Sequence, residues 1–322
     1  MKNVQPIMVS VDMITYNHES FIAQAIEGVL MQKTNFRFEL VIGEDCSTDK
    51  TREICLEYRN KYPDIIKLLL PEKNLGMHEN GLQTLNACTG KYIALCEGDD
   101  YWTDPYKLQK QVDFLEENEG YGFIGTRCSV LKKDNLIVEE EINIPNWRLN
   151  SKNILIYDNV FEYAKYGPVT RTVSLLFERS LIQNYINEIN GDYTLQAILS
   201  RQTNFACLND ICCVYRLHNG GVSNSNDSGG QIRYLNWYIQ NRLMLNRLFP
   251  GECDFSEDEL YDKERYLRLK LAISQFKYSE AIAVKDQIKT KMYRSKTYSK
   301  YMCNYVFFYM LYLHLKFIAN EK

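Results

Sequence analysis

The sequence predicts an α/β fold, a parallel sheet of buried strands with helices on both faces. Three observations carry this. The first half alternates near-continuous apolar runs with amphipathic helical stretches, the pattern of strands covered on both sides. The chain has 322 residues, room for one large or two modest domains at about 150 residues each, and a fold of about 300 residues buries roughly three quarters of its unfolded surface. With 45% hydrophobic and 25% charged residues, the composition excludes a disordered or fibrous chain.

Along the chain, Ile7–Thr15 (IMVSVDMIT) reads as the first strand and Ser20 to Gln32 as an amphipathic helix. FELVIGE is the second strand, Asp49 to Asn60 a helix, and IIKLLL the third strand. Asn80 to Cys88 is a helical stretch leading into the strand KYIALCE. The next helix runs to Glu117, with Asp104 as N-cap, Pro105 at its first position and apolar residues on a helical period. The strand YGFIGTRCSVL follows, and the region from there to Gly167 is weakly patterned. SLLF and ACLNDICCVYRLH read as strands separated by a helix over Asp192 to Ser200, and NGGVSNSNDSGG as a polar loop. From Gln231 onwards the chain reads as helix, and no internal repeat stands out.

A net charge of −3 supplies no basic field to recruit nucleic acid. The ten cysteines are scattered without a C-x-x-C pair, several inside apolar runs such as YIALC and NFACL, where a reduced cysteine behaves as a small hydrophobe. The histidines His18, His78, His218 and His314 give no pair at zinc spacing. These features point to a reducing, cytoplasmic setting. The N-terminal run MKNVQPIMVSVDMIT has one lysine and an apolar stretch broken by Gln5, Pro6, Ser10 and Asp12, so it does not read as a signal peptide. The other end differs in kind. Lys285, Lys289, Lys291, Arg294, Lys296 and Lys300 face one acid, Asp286, and Tyr305 to Leu313 is then uninterruptedly apolar or aromatic. That run is shorter than the roughly 20 residues a spanning helix needs. It suits a membrane-interface helix over 301–319 on an anionic surface; the alternative is a terminal helix docked on the protein's own core.

In such sheets ligands bind outside the carboxyl ends of the strands, where the chain order reverses. Three segments reach that rim: TYNHE after the first strand, EDCSTD after the second and EGDDYW after the fourth. The first turn lacks the glycine fingerprint of a dinucleotide site, and no P-loop lysine motif is present. Carboxylates gather instead: Glu44, Asp45, Glu97, Asp99 and Asp100. They repel phosphate directly but suit a divalent cation that in turn holds a diphosphate. One such acid alone would read as a helix cap or a solvated loop residue. Five at two adjacent strand ends, with tyrosine and tryptophan beside them, read as a site.

The segments VSVDMITYN, VIGEDCSTDKT, KNLG and GKYIALCEGDDYW, in this order and spacing, resemble the family-2 glycosyltransferases of the GT-A fold, over roughly Ile7 to Ser223. The resemblance implies a Rossmann-like mixed sheet flanked by helices, forming a catalytic domain over 1–225. Its nucleotide-binding half would cover about 1–103 and its acceptor half about 104–225, with a helical region over 226–322. It implies that Thr15, Tyr16 and Asn17 line the base and ribose with Glu19 nearby, and that Asp45 accepts the imide hydrogen of a uracil or thymine. Asn74 and Gly76 match the loop over the nucleotide, and Glu97, through the ribose, joins Asp99 and Asp100 in binding the nucleotide sugar. Two departures stand out. Cys46 replaces a glycine in the acidic turn, and the D-x-D signature reads Glu97-Gly98-Asp99. Asp99, with His218, is the expected ligand set for Mn²⁺ or Mg²⁺. Trp102 offers an indole face to a sugar ring, or else belongs to the core. Asp192, in GDYTLQAIL, is the expected catalytic base, with a helix N-cap as its alternative role.

The resemblance therefore implies inverting transfer of one sugar from a UDP- or dTDP-linked donor to a glycan or lipid-linked glycan acceptor, in surface polysaccharide or lipopolysaccharide assembly. The Q-x-x-R-W motif of processive synthases is absent, which favours single addition. Two rivals share parts of the pattern. A sugar-nucleotide pyrophosphorylase would need a glycine-rich basic loop near the first strand. A catalytically silent, membrane-associated nucleotide-binding partner protein would not need Asp192.

Overall fold

The computed structural model describes residues 5–132, 137–139, 148–157, 159–218, 228–274 and 277–290. The chain divides into two compact units, 1–218 and 219–322. The first begins β1 (Ile7–Thr15), α1 (Ile22–Leu30), β2 (Arg37–Glu44), α2 (Thr51–Lys61), β3 (Ile66–Leu69), α3 (Met77–Ala87) and β4 (Tyr92–Leu95). It continues with β5 (Tyr101–Trp102), α4 (Lys107–Glu117), β6 (Tyr121–Leu131), β7 (Ile137–Glu139), β8 (Arg148–Leu149), β9 (Ile154–Tyr157) and α5 (Phe161–Ala164), then β10 (Leu176–Glu178), α6 (Asp192–Gln202) and β11 (Asn204–Arg216).

One sheet runs in the order β3-β2-β1-β4-β10-β6-β11-β9-β8. Strands β1 to β4 are parallel, as their unbroken apolar character requires: Val9, Val11, Met13, Leu40, Ile42 and Ala94 are fully buried. Each of the larger of these side chains contributes about 1.5–3 kcal/mol by leaving water. The chain order reverses between β1 and β4, so their carboxyl ends open a crevice. Beyond β4 the sheet is mixed, because β10 inserts antiparallel between β4 and β6. The α/β fold with a mixed sheet flanked by helices is thus the fold of this unit.

Several local expectations change. Helix α4 opens at Lys107, not at Asp104. Asp104 forms the preceding turn, its Oδ1 accepting the Tyr106 N–H at 2.8 Å and its carbonyl the Lys107 N–H at 3.3 Å. The weakly patterned region contains the short strands β8 and β9, and β5 pairs with β11 at Trp102–Cys213. Trp102 is 2% exposed and its Nε1 donates to the Val173 carbonyl at 2.8 Å. The fully buried Lys107 ammonium lies 4.2 Å from its ring centroid. A Cβ on Gly28 would meet the Trp102 backbone nitrogen at 2.9 Å, which is why α1 carries glycine where it crosses β5. The indole is therefore core, and the sugar-stacking expectation for Trp102 is corrected.

The second unit is helical among its described residues: α7 (Ser228–Leu248), α8 (Glu257–Ser274) and α9 (Tyr278–Asp286). Leu235, Ile239 and Leu260 form one apolar cluster, and Leu269, Ala272, Ala281, Val284 and Ile288 another. Asp262 accepts the Lys289 and Thr290 N–H groups and so closes α8 onto the turn after α9. Residues 219–227 of the polar loop, and the helix expected over 301–319, lie outside the described residues.

Candidate active site

The crevice is built from three strand ends. After β1 the backbone turns through Asn17, at φ 55°, and its loop is tied to the loop after β2. The Asn17 N–H donates to Ser47 Oγ at 2.9 Å, and Asn17 Oδ1 accepts the Thr48 N–H at 2.8 Å. Glu19 Oε2 accepts the Lys50 N–H at 3.0 Å, and the His18 N–H donates to Thr51 Oγ1 at 2.8 Å. Asn17 and Glu19 thus brace the rim. Thr15 is buried against His18 Nδ1 at 3.2 Å, and Tyr16 stands 43% exposed, free to meet a flat ligand.

After β2, Glu44 is buried and pairs with Arg52, while its Oε1 accepts the Ser47 N–H at 2.7 Å. Asp45 organises the loop over the rim. Its Oδ1 accepts the Leu75 N–H at 2.7 Å, its Oδ2 the Gly76 N–H at 2.9 Å, and its carbonyl the Asn74 Nδ2 at 2.8 Å. The structure therefore brings Asp45, Asn74 and Gly76 together. A pyrimidine imide would share the carboxylate with these two amides. Gly76 has φ 83°, a conformation that favours glycine. Cys46 holds φ 60° without being glycine, which explains the expected glycine there and leaves this turn strained.

After β4 comes the acidic turn. A Cβ on Gly98 would come within 2.6 Å of Thr15 Oγ1, so only glycine lets the turn lie against the end of β1. Asp99 Oδ2 is 3.0 Å from His218 Nε2 and 3.8 Å from His18 Nε2. The side chains of His18, Asp99 and His218 keep 17%, 21% and 19% of their surface exposed, so a ligand can reach them. Their ligating atoms lie within 4.8 Å of one another, as do those of Glu97, Asp99 and Asp100. One carboxylate with two imidazoles is a donor set that fits Mn²⁺ well and Mg²⁺ less well. Burial raises the Asp99 carboxyl, but the His218 hydrogen bond and the two imidazoles outweigh it and hold it below the usual range. Burial, with Asp99 opposing, lowers His18 and favours the neutral imidazole a metal needs.

Asp100 sits behind this group, 1% exposed, with its Oδ1 accepting the Arg216 N–H at 2.8 Å. The Arg216 guanidinium donates to the Asp99 carbonyl and to Gln24, and lies between the rings of Phe21 and Tyr101. Strand β11 thus holds the acidic turn from behind.

Asp192 opens α6, after Gly191 at φ 90°. Its carboxylate accepts from the backbone N–H groups of Asp192 and Tyr193 at the helix start, and Oδ2 accepts Thr172 Oγ1 at 3.2 Å. Burial raises its pKa, against the Thr172 hydrogen bond and the Arg171 charge. Asp192 faces a cavity of about 110 Å³ between α3, the end of β4 and the start of α6. Asp12, Glu97 and Asp192 share its lining with His78 and a mostly aliphatic wall. Burial, then the charges of Asp99, Asp192 and Asp12, push the Glu97 carboxyl well up.

The structure thus gathers Thr15, His18, Glu97, Asp99 and His218 at one rim, with Asp45, Asn74 and Gly76 on its flank. His18, Asp12 and Arg216 were missed as site residues. His18 and His218 are distant in sequence, so ligand spacing carried no signal for them. Only the position of His18 in the rim segment TYNHE pointed to it.

Residues 10–174 match the family model described as glycosyl transferase family 2. An uncharacterized protein of Mycobacterium tuberculosis is 33% identical over 219 residues, 67% of this chain and 60% of that protein. The chain thus spans about 60% of the length of this curated relative. The protein of Bacillus subtilis named as teichuronic acid biosynthesis glycosyltransferase TuaG is 27% identical over 70% of this chain and 84% of its own. The Escherichia coli UDP-Glc:alpha-D-GlcNAc-diphosphoundecaprenol beta-1,3-glucosyltransferase WfgD is 25% identical over 68% and 80%. Among solved structures, Staphylococcus aureus TarS 1–349 in complex with UDP-GlcNAc superposes with a TM-score of 0.56 at 15% identity, covering 88% of this chain and 82% of that one. At that identity the likeness is one of fold.

Proposed function

The chain belongs to glycosyl transferase family 2, and on that premise we propose that it moves one sugar, with inversion, from a nucleoside diphosphate sugar to an acceptor hydroxyl. The observation that carries this reading is two groups joined by the acidic turn: Asp99 beside two imidazoles, and Glu97 sharing a cavity of about 110 Å³ with Asp192. Asp99, His18 and His218 would hold a divalent cation, which when bound would supply charge neutralisation for a departing diphosphate. The chain's own residues supply the rest. The loop docked on Asp45, with Tyr16 opposite, holds the UDP or dTDP nucleotide. Asp192, beside Thr172, takes the proton of the acceptor hydroxyl as its oxygen attacks the anomeric carbon. Wall residues such as Leu82 and Leu195 exclude water and align the sugar.

The WfgD name supports a lipid-linked glycan acceptor, and the TuaG name a role in surface polysaccharide assembly. Transfer would then occur at the cytoplasmic face, with the basic and aromatic tail as an interfacial anchor; no helix among the described residues is long and apolar enough to cross a membrane. Incubation with UDP- and dTDP-sugars, Mn²⁺ and a diphosphoundecaprenol-linked sugar tests the reading. Release of nucleoside diphosphate with a glycosylated product is expected. Pyrophosphate-dependent turnover would mark a pyrophosphorylase, and nucleotide binding without turnover a silent partner protein.

A further inference from the structure

Asp12 is the residue this mechanism leaves unused. It interrupts an apolar strand, and alternation along β1 puts it on the same face as Ile14, toward the cavity. Its Oδ1 is buried without a hydrogen-bond partner. Burial pushes its pKa up to about 7, so near neutral pH the group stands between the neutral acid and a carboxylate that a cationic ligand would hold ionised. Asp192 has the Thr172 hydroxyl and the Arg171 charge nearby, but Asp12 has neither. Among the described residues no lysine or arginine lines the cavity, and the basic group there is His78.

The three carboxylates are not arranged for a second metal ion. Among the described residues, the groups whose ligating atoms close within 4.8 Å are His18, Asp99 and His218, and Glu97, Asp99 and Asp100; Asp12 and Asp192 belong to neither. They line a space of about 110 Å³ with aliphatic walls, smaller than the ~150 Å³ that holds a benzene ring, so it takes part of a sugar and does not enclose the whole ring. An occupant that meets spread carboxylates and apolar walls together presents a positively charged group on an otherwise apolar face.

Position decides what carries that group. Met77 and His78 follow Gly76 directly and form one wall, so the cavity begins where the nucleotide loop ends. Asp192, the proposed base, lines the same cavity from the start of α6. The group between a nucleotide and the base is the sugar being transferred, a placement that rests on the transferase reading above.

We propose that the donor is an amino sugar with a free, unacylated ammonium group, seated in this cavity against Asp12 and Glu97. Asp12 is then a specificity residue: the ammonium gives its orphaned oxygen a donor and offsets the repulsion among the carboxylates. A neutral hydroxyl at the same carbon gives the ionised form of Asp12 no charged partner.

The test uses the full chain with Mn²⁺ and calorimetric binding at neutral pH. UDP-glucosamine is compared with UDP-glucose, dTDP-4-amino-4,6-dideoxyglucose with dTDP-glucose, and UDP and dTDP are measured alone. The amino form of at least one pair should bind tighter by about 10- to 100-fold, the scale of one charge-assisted hydrogen bond. In Asp12→Asn, which keeps the shape and removes the charge, that preference should vanish while affinity for the bare nucleotide stays the same. Equal binding within both pairs overturns the proposal, as does a preference that survives in Asp12→Asn. If neither nucleotide binds at all, the transferase reading falls and the amino-sugar assignment falls with it.

Discussion

Replacing Asp192 by asparagine separates its two candidate roles, because the amide can still cap a helix but cannot act as a base. If the carboxylate is the base, the amide cannot accept the acceptor proton, and turnover falls by about 10² to 10⁴, the range for loss of a general base. At about 1.36 kcal/mol per decade this is roughly 3–5 kcal/mol of barrier. Stability should move the other way. Asp192 has a raised pKa through burial, so its favourable contribution is complete below the unfolded value and is lost as pH rises through the folded one. Above its folded pKa the native state therefore holds an unfavourable buried charge. Asparagine removes it and can still accept Thr172 Oγ1. The variant should melt no lower than the parent at pH 7, and its advantage should shrink as pH falls toward the ordinary carboxylate range. A helix N-cap role alone predicts no loss of turnover in Asp192→Asn and no loss of stability, because asparagine caps as well as aspartate; only Asp192→Ala would then lose about 1 kcal/mol. Calorimetry across pH, paired with single-turnover transfer, reads both quantities. Turnover retained in Asp192→Asn would refute the base assignment.

Other substitutions test the remaining parts of the site. Asp99→Ala should abolish the Mn²⁺-dependent part of UDP binding, since the diphosphate then faces Glu97 and Asp100 unshielded; titrations with and without Mn²⁺ that coincide with the parent's would remove Asp99 from the metal site. Trp102→Ala should cost about 3–5 kcal/mol of stability as a core truncation while leaving the donor KM of the folded enzyme unchanged, and the reverse pattern would restore the indole to the sugar site. Cys46→Gly should hold or raise Tm, because relief of about 1–2 kcal/mol of left-handed strain outweighs a glycine entropy cost of about 0.5–1 kcal/mol; a marked drop on thermal melting would show that the thiol supports the turn. Deleting Tyr301 to Lys322 should abolish the salt-resistant part of co-sedimentation with anionic vesicles and spare transfer to a soluble acceptor, since anchoring by a basic residue at about 1 kcal/mol each is screened by salt; a full-length chain that never sediments would end the anchor idea.

The first half of the fold was legible because its strands are buried on both faces, and unbroken apolar runs such as VIG and YIAL mark them directly. The second half was less so. Strand β10 is three residues long and antiparallel, and nothing in SLLF reveals direction. Strand β5 is two residues held by pairing with a partner more than a hundred positions away, which no local window can see. Trp102 illustrates the cost: beside the acidic turn in sequence, it is turned into the core by that pairing. The carboxylates were legible as a cluster, but not their division of labour. Asp45, Asp99 and Asp100 look alike as letters, yet one docks a loop, one faces two imidazoles and one braces a strand.

The pairing of β5 with β11 also bears on how such a chain can diverge. Asp99 and His218 are 119 residues apart, yet each lies within a few residues of the same two-stranded ribbon, cross-linked by the Thr103 N–H to the Cys212 carbonyl at 2.9 Å and by Arg216 to Asp99 and Asp100. Their separation is set by this short clamp and not by the long path between them. Segments grafted into that path, or cut from it, can reshape what the enzyme accepts without disturbing the cation's seat.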